Sequence, residues 1–247
     1  MQSLRTLASH PMFREFLGFS SSTLTQQASS LVTSIVAAAL LGPEVWGTWF
    51  LLNLILRYGA LAHLGALNGL NREYALEVGR GNQPEAERLR KTSLGALIAS
   101  LVVVMALTAG FLTVARSLHL IAIALTIVLL VCQQLYGYLS MTYKSSIQFT
   151  FLSRLQFAVA LVTPAIAIPL TITIGLNGFI IGQAVAYAIV AGLAYLNDKK
   201  VYLVKFDAHR TKKLIRIGFP IMIVGVLYAL FTTVDRWVIL QVLNTEA

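Results

Sequence analysis

Leu155–Asn197 reads LQFAVALVTPAIAIPLTITIGLNGFIIGQAVAYAIVAGLAYLN, with no charged side chain anywhere in it. A helix needs about 20 mostly apolar residues to cross a bilayer, so this run is long enough for two crossings. Gly175-Leu176-Asn177-Gly178 in its middle is a turn signal. It divides the run into spans Leu155–Ile174 and Gly178–Leu196. Upstream, the same reading picks out Phe16–Leu41, Trp46–Asn71, Thr92–Ala115 and His119–Tyr143; downstream it picks out Ile217–Leu243. The expected fold is an all-α integral membrane protein of about seven transmembrane helices. Residues 1–197 would form a first six-helix bundle and 198–216 a basic cytoplasmic linker. Residues 217–247 would hold the first helix of an incomplete second bundle.

Composition agrees with this. Hydrophobic residues make up 57% of the chain and charged residues 12%, with mean hydropathy +0.76; soluble domains average about 45–50% and 25%. The net charge of +9 could suggest nucleic acid in a soluble protein. Here the basic residues lie between the spans, where they set topology and meet anionic lipid headgroups. All Lys and Arg except Arg57, Arg116 and Arg236 fall on the side that holds the N-terminus. The N-terminus is therefore expected in the cytoplasm, with anionic membrane lipids as partners and no nucleic acid. The single cysteine, Cys132, leaves no disulfide framework and no metal-ligand cluster. No compact apolar stretch near the start ends in a small-residue cleavage site, so a cleaved signal is not expected. The outer loops, such as Gly42-Pro43-Glu44-Val45, are too short for a catalytic domain, and no phosphate-cradling GxxxxGK[ST] occurs. No enzyme activity, cofactor or metal is expected.

Charges inside spans are costly, roughly 2.5–3.5 kcal/mol each at mid-bilayer on insertion scales. Arg57 lies deep in the second span, and spans one to six contain no carboxylate to pair with it. It reads as a cavity-lining cation for an anionic substrate group, or as a structural arginine held by helix-end carbonyls. Asn53, His63 and Asn68 share its span. Asn53 is a cavity candidate; His63 could couple protons or be a satisfied structural histidine. Asp235 and Arg236 are adjacent and point about 100° apart on a helix. Asp235 could bind a coupling cation and Arg236 the substrate, or both could tie the seventh span to its neighbours.

The first span begins with Ser20, Ser21, Ser22, Thr23, Thr25, Gln26, Gln27, Ser29, Ser30, Thr33 and Ser34. Small hydroxyl residues suit close helix packing, whereas Gln26 and Gln27 are bulkier and point to a water-filled path. Gln133, Gln134 and Gln183 are lesser candidates for the same path. Pro164 and Pro169 lie mid-span, where each removes a backbone donor; they read as hinges or as packing features. Gly65 and Gly69, with Ala62 and Ala66 beside them, form a small-residue ridge that reads as a helix contact.

Leu41-Gly42-Pro43-Glu44 has a weak counterpart in Leu243-Asn244-Thr245-Glu246. This fits a transporter built from two structural repeats, and it also fits a chance likeness of two helix ends. Leu41-Gly42-Pro43-Glu44-Val45-Trp46-Gly47, Leu64-Gly65-Ala66-Leu67-Asn68-Gly69-Leu70-Asn71-Arg72, Gly218-Phe219-Pro220 and Asp235-Arg236 occur in that order. Together they resemble the signature elements of the bacterial lipid-linked oligosaccharide flippases. These are the polysaccharide-transport branch of the multidrug/oligosaccharidyl-lipid/polysaccharide exporter superfamily, whose other members export small amphipathic compounds. The resemblance implies a two-bundle fold working by alternating access in the bacterial inner membrane, in polysaccharide or O-antigen (lipopolysaccharide) assembly. It implies a polyprenyl-pyrophosphate-linked oligosaccharide as substrate. It also leaves a missing second half, or polysaccharide assembly proteins, as partners, and the chain would then be a truncated or non-transporting half.

Overall fold

The computed structural model describes residues 11–115 and 120–231. The described residues form six helices and no strand: α1 Pro11–Gly59, α2 Ala66–Gly79, α3 Gln83–Ala115, α4 Leu120–Ser145, α5 Phe149–Asn197 and α6 Ala208–Phe231. Four of them, α1, α3, α4 and α5, are long and apolar enough to cross a membrane. Many of their outward side chains are apolar, Leu24, Ile121 and Leu161 among them. This length and composition fit a membrane-embedded protein.

Neither 49-residue helix is straight. In α1, Gly42 takes φ 77, ψ 168, a region open in practice only to glycine. A straight helix would hold Gln26 and Gly59 about 50 Å apart. Yet Gln26 meets Tyr136 of α4, and the Gly59 carbonyl meets Gln134, only two residues away on the same helix. The helix therefore folds back at Gly42 into a long first arm and a shorter second arm that ends at Gly59. Helix α5 does the same at Ile174 (φ −130, ψ 21) and Gly175 (φ 58, ψ −138). Gly182 lies against the Ala167 backbone, although fifteen straight helical residues would span about 22 Å. The turn signal at 175–178 and the outer loop read at 42–45 are thus both real reversals, with helix resuming directly after the glycine. The two turns lie side by side, Leu41 next to Gly175.

The first arms of α1 and α5 run parallel, with Gly18 facing Ser153, Ser22 facing Gln156 and Ser29 facing Ala160. Near the turns, Trp49 packs edge-on to Phe179 at 5.0 Å over Leu52, Leu56, Leu129, Leu130 and Ile180. Towards the opposite end, Leu70, Leu89, Leu97, Tyr138, Leu139, Leu152 and Leu214 form a second core.

The span expected over Trp46–Asn71 is not continuous. Helix ends at Gly59, residues 60–65 form turns, and α2 begins at Ala66. Gly59 lies against Leu130, near the middle of α4, so the break falls at mid-height in the bundle. Two positive φ angles, Leu64 at 49° and Gly65 at 85°, interrupt the helix there before α2 carries the chain onward along α4. A side chain at Gly65 or Gly69 would collide with the Gly218 or Leu214 backbone of α6. The small-residue ridge is therefore a helix contact, as its spacing predicts, and it fixes α6 on α2.

Helix α6 starts at Ala208, inside the stretch read as a linker, and ion pairs hold that stretch in place. Arg90, almost fully buried, donates to Glu87 (2.6 Å), Asp198 (3.2 Å) and the Lys200 carbonyl (3.2 Å). Arg210 bridges Glu85 (2.8 Å) and Asp207, and Lys213 meets Glu73 at 2.7 Å. Asp207 also accepts from the Arg210 backbone N–H at 3.0 Å, capping the start of α6. These bonds hold the Asp207 carboxyl below the usual carboxylate range, and the Glu85 and Asp207 carboxylates raise the Arg210 guanidinium. Beyond Met222 the helix is mostly exposed, with Val224, Leu227, Tyr228 and Phe231 facing outward.

Candidate functional site

A small, partly open cavity of about 90 Å³ with many polar groups in its wall lies between the first arm of α1 and both arms of α5. The α1 wall is Gln26, Ser29, Ser30, Thr33 and Ser34, and Thr163, Phe179, Gln183 and Tyr187 stand opposite. Positions 26, 29, 30 and 33 recur at helical spacing, so the hydroxyl-rich stretch presents one continuous face.

Packing and cavity lining both hold for that stretch. Its lower part seals the two arms together: Ser22 donates to Gln156 at 2.6 Å and Thr23 at 3.2 Å. Higher up, Ser29 donates to the Ala160 carbonyl. That carbonyl is free because Pro164, four residues on, has no N–H to donate in the helical pattern. Pro164 thus supplies a backbone acceptor at the cavity edge, a use of proline that spacing alone does not reveal. Pro169 is exposed and lies away from the cavity.

Across the cavity, Gln26 accepts from Tyr136 at 3.3 Å, and Tyr136 packs on Tyr187 with ring centroids 5.3 Å apart. The Thr163 hydroxyl and the Gln183 amide nitrogen are buried without a hydrogen-bonding partner among the described residues. A buried polar group left unpaired costs about 1–3 kcal/mol, so two at one cavity suit an occupant that hydrogen-bonds. None of the lining side chains is charged. Among the described residues no group of three or more His, Cys, Asp or Glu could hold a metal.

Of the residues singled out from sequence, Gln26 lines the cavity, and Gln183, a lesser candidate, does too. Gln27 is exposed beside it, and Asn53 is partly buried away from it. Arg57 is exposed two residues before α1 ends, and it forms no ion pair or hydrogen bond with the described residues. His63 lies in the break, where its Nδ1 accepts from the Gly65 N–H at 3.0 Å. Gln134 donates to the Gly59 and Ala60 carbonyls at 3.3 and 3.4 Å, bonding two carbonyls at the broken helix end. Asp235 and Arg236 lie outside the described residues. The sequence reading missed the break itself, although Gly59 and Gly65 flank it.

Comparison with protein-family models, curated proteins and solved structures returns no match for this chain.

Proposed function

We propose that this chain belongs to a transporter that moves a lipid-linked oligosaccharide across the bacterial inner membrane by alternating access. The observation that carries the proposal is the polar cavity inside a bundle of membrane-length helices. Its groups are amides, hydroxyls and aromatic rings without charge, which suits a neutral hydroxylated ligand better than an ion. The unpaired Thr163 and Gln183 groups would bond such a ligand. No carboxylate lines the cavity, so a cation-coupled exporter has nothing there to hold its cation.

The α1 hairpin, its second arm completed by α2, and the α5 hairpin each cross the membrane twice in this reading. With α3 and α4 they give six crossings, α6 begins a seventh, and the ion-paired basic end faces the cytoplasm. Arg57, exposed near the break at mid-height, meets the pyrophosphate, for which a planar guanidinium is suited. Discontinuous helices at mid-membrane are a recurrent way of building transporter sites. The arms of α1 and α5 part at Ser29–Ala160 to admit the sugar, since this bond closes the cavity edge.

The test is uptake of radiolabelled polyprenyl-pyrophosphate oligosaccharide in proteoliposomes carrying the full chain. Gln183→Leu should lower flux about two- to tenfold, the value of one neutral hydrogen bond. Arg57→Ala should lower it tenfold or more, the range of a charge-assisted one. Wild-type flux that neither substitution changes would remove both the cavity and Arg57 from the path.

A further inference from the structure

A second concavity lies at the basic end, outside the polar cavity. It is an open groove of about 410 Å³ between the start of α1 and the start of α5, lined by Arg14, Glu15, Gly18, Thr150, Ser153, Arg154 and Phe157. Four other arginines at this end are engaged: Arg80 with Glu77, Arg88 with Glu85, Arg90 with Glu87 and Asp198, Arg210 with Glu85 and Asp207; Arg72 and Arg216 are exposed and line no groove with a second arginine. Arg14 and Arg154 are exposed and have no ion pair or hydrogen bond with the described residues. Glu15 shares the groove without pairing to either of them, so the three ionisable groups leave it a net positive charge.

The groove floor is open to a bulky group because Gly18 contributes no side chain; a Cβ there would lie 3.9 Å from the Ser153 hydroxyl. The Thr150 and Ser153 hydroxyls stand beside the arginines. Above Arg154, Phe157 and then Leu161 continue the exposed stripe of α5 at helical spacing, with Leu161 68% exposed. The charged mouth thus passes directly into an apolar wall, along a helix long enough to span a membrane.

We infer that this groove binds an anionic phospholipid, the phosphate held between Arg14 and Arg154 and an acyl chain lying along Phe157 and Leu161. Charge complementarity selects the headgroup, and continuity with the apolar stripe selects a lipid over a free phosphate. The site stands apart from the polar cavity and holds whatever that cavity carries. Bound lipid bridges the first arms of α1 and α5 at the end opposite their turns. It therefore braces the two walls that must separate if the cavity opens.

The test uses the full chain purified in a non-ionic detergent and titrated with phosphatidylglycerol, phosphatidylcholine or inorganic phosphate, with bound species counted by native mass spectrometry. Wild type should retain phosphatidylglycerol in preference to phosphatidylcholine. A basic residue near an anionic headgroup is worth about fivefold in affinity, so Arg14→Gln with Arg154→Gln should weaken phosphatidylglycerol about thirtyfold. Both side chains are exposed, so the melting temperature should stay unchanged. Arg14→Lys with Arg154→Lys should keep most of the preference, because the point charges remain. Leu161→Ser should weaken lipid but not inorganic phosphate. Equal binding of the two lipids by wild type, undiminished phosphatidylglycerol binding by the glutamine pair, or displacement by an equal concentration of inorganic phosphate would each overturn the inference.

Discussion

Replacing Gly69 by alanine tests the joint that places α6. A Cβ at Gly69 would lie 2.8 Å from the Leu214 carbonyl carbon and closer still to its oxygen, whereas ordinary contact begins at 3.4 Å. Both neighbours are backbone, so no side chain can rotate away, and α6 must retreat by at least roughly 0.6 Å. Overpacking of this kind costs about 1–3 kcal/mol. Alanine regains about 0.5–1 kcal/mol over glycine inside a helix, leaving a net loss of about 0–2.5 kcal/mol. For a domain of this size that corresponds to a melting temperature lower by up to about 10 °C. Gly137 is the matched control: it lies within α4, and a Cβ there meets nothing within 4 Å. Gly137→Ala should raise the melting temperature by about 1–4 °C from helix propensity alone. A thiol-reactive fluorophore on Cys132, the only cysteine and partly buried, reads unfolding of the detergent-solubilised chain. If Gly69→Ala melts at or above Gly137→Ala, the close approach of α2 and α6 is wrong.

Arg90→Ala should destabilise by about 1.5–3 kcal/mol, the range for hydrogen bonds to charged groups, because it strips partners from Glu87, Asp198 and the Lys200 carbonyl together; limited proteolysis should then cut within 198–207 faster than in wild type, and unchanged protection would count against the clamp. Asp207 gives a pH dependence of known sign. Its folded carboxyl lies below the unfolded value of about 3.9, so its contribution is present above that value and is lost as pH falls through the folded one. Melting temperature should therefore drop below about pH 4, and Asp207→Asn, which keeps the cap, should flatten the drop; an unaltered acid slope would show that Asp207 is not the titrating group.

The membrane character was legible because the bilayer imposes a length and a composition on each helix, and both can be counted along a chain. Gly175 was legible as a turn, and Gly42 as part of a short outer loop, for a related reason: tight reversals between long helices need backbone angles that few residues besides glycine adopt. The contact made by Gly65 and Gly69 was legible too, since small residues four apart on a helix form a flat strip. By contrast, Trp46–Asn71 read as one apolar run. Nothing in hydropathy marks the break at 60–65, which is stabilised by Gln134 from α4 and by the close approach of α6.

The same division applies to the site. Sequence alone marked the hydroxyl-rich start of the first span, with Gln26 and Gln27, as packing surface or cavity wall; the fold puts Gln26 in the wall and leaves Gln27 exposed. The sequence could not say that Thr163 and Gln183 would face that wall, since they come from two arms of another hairpin, nor that Pro164 would free the Ala160 carbonyl for Ser29. It read Arg57 as a cavity-lining cation or a structural arginine because no carboxylate lies in the first six spans; the fold leaves that side chain exposed beside the break. The local code thus determined most of the helical segments, two of their reversals and the polar character of the first span. Which faces meet, which polar groups stay unpaired and which arginines stay free depend on contacts between residues far apart in the chain, and only the packed bundle decides those.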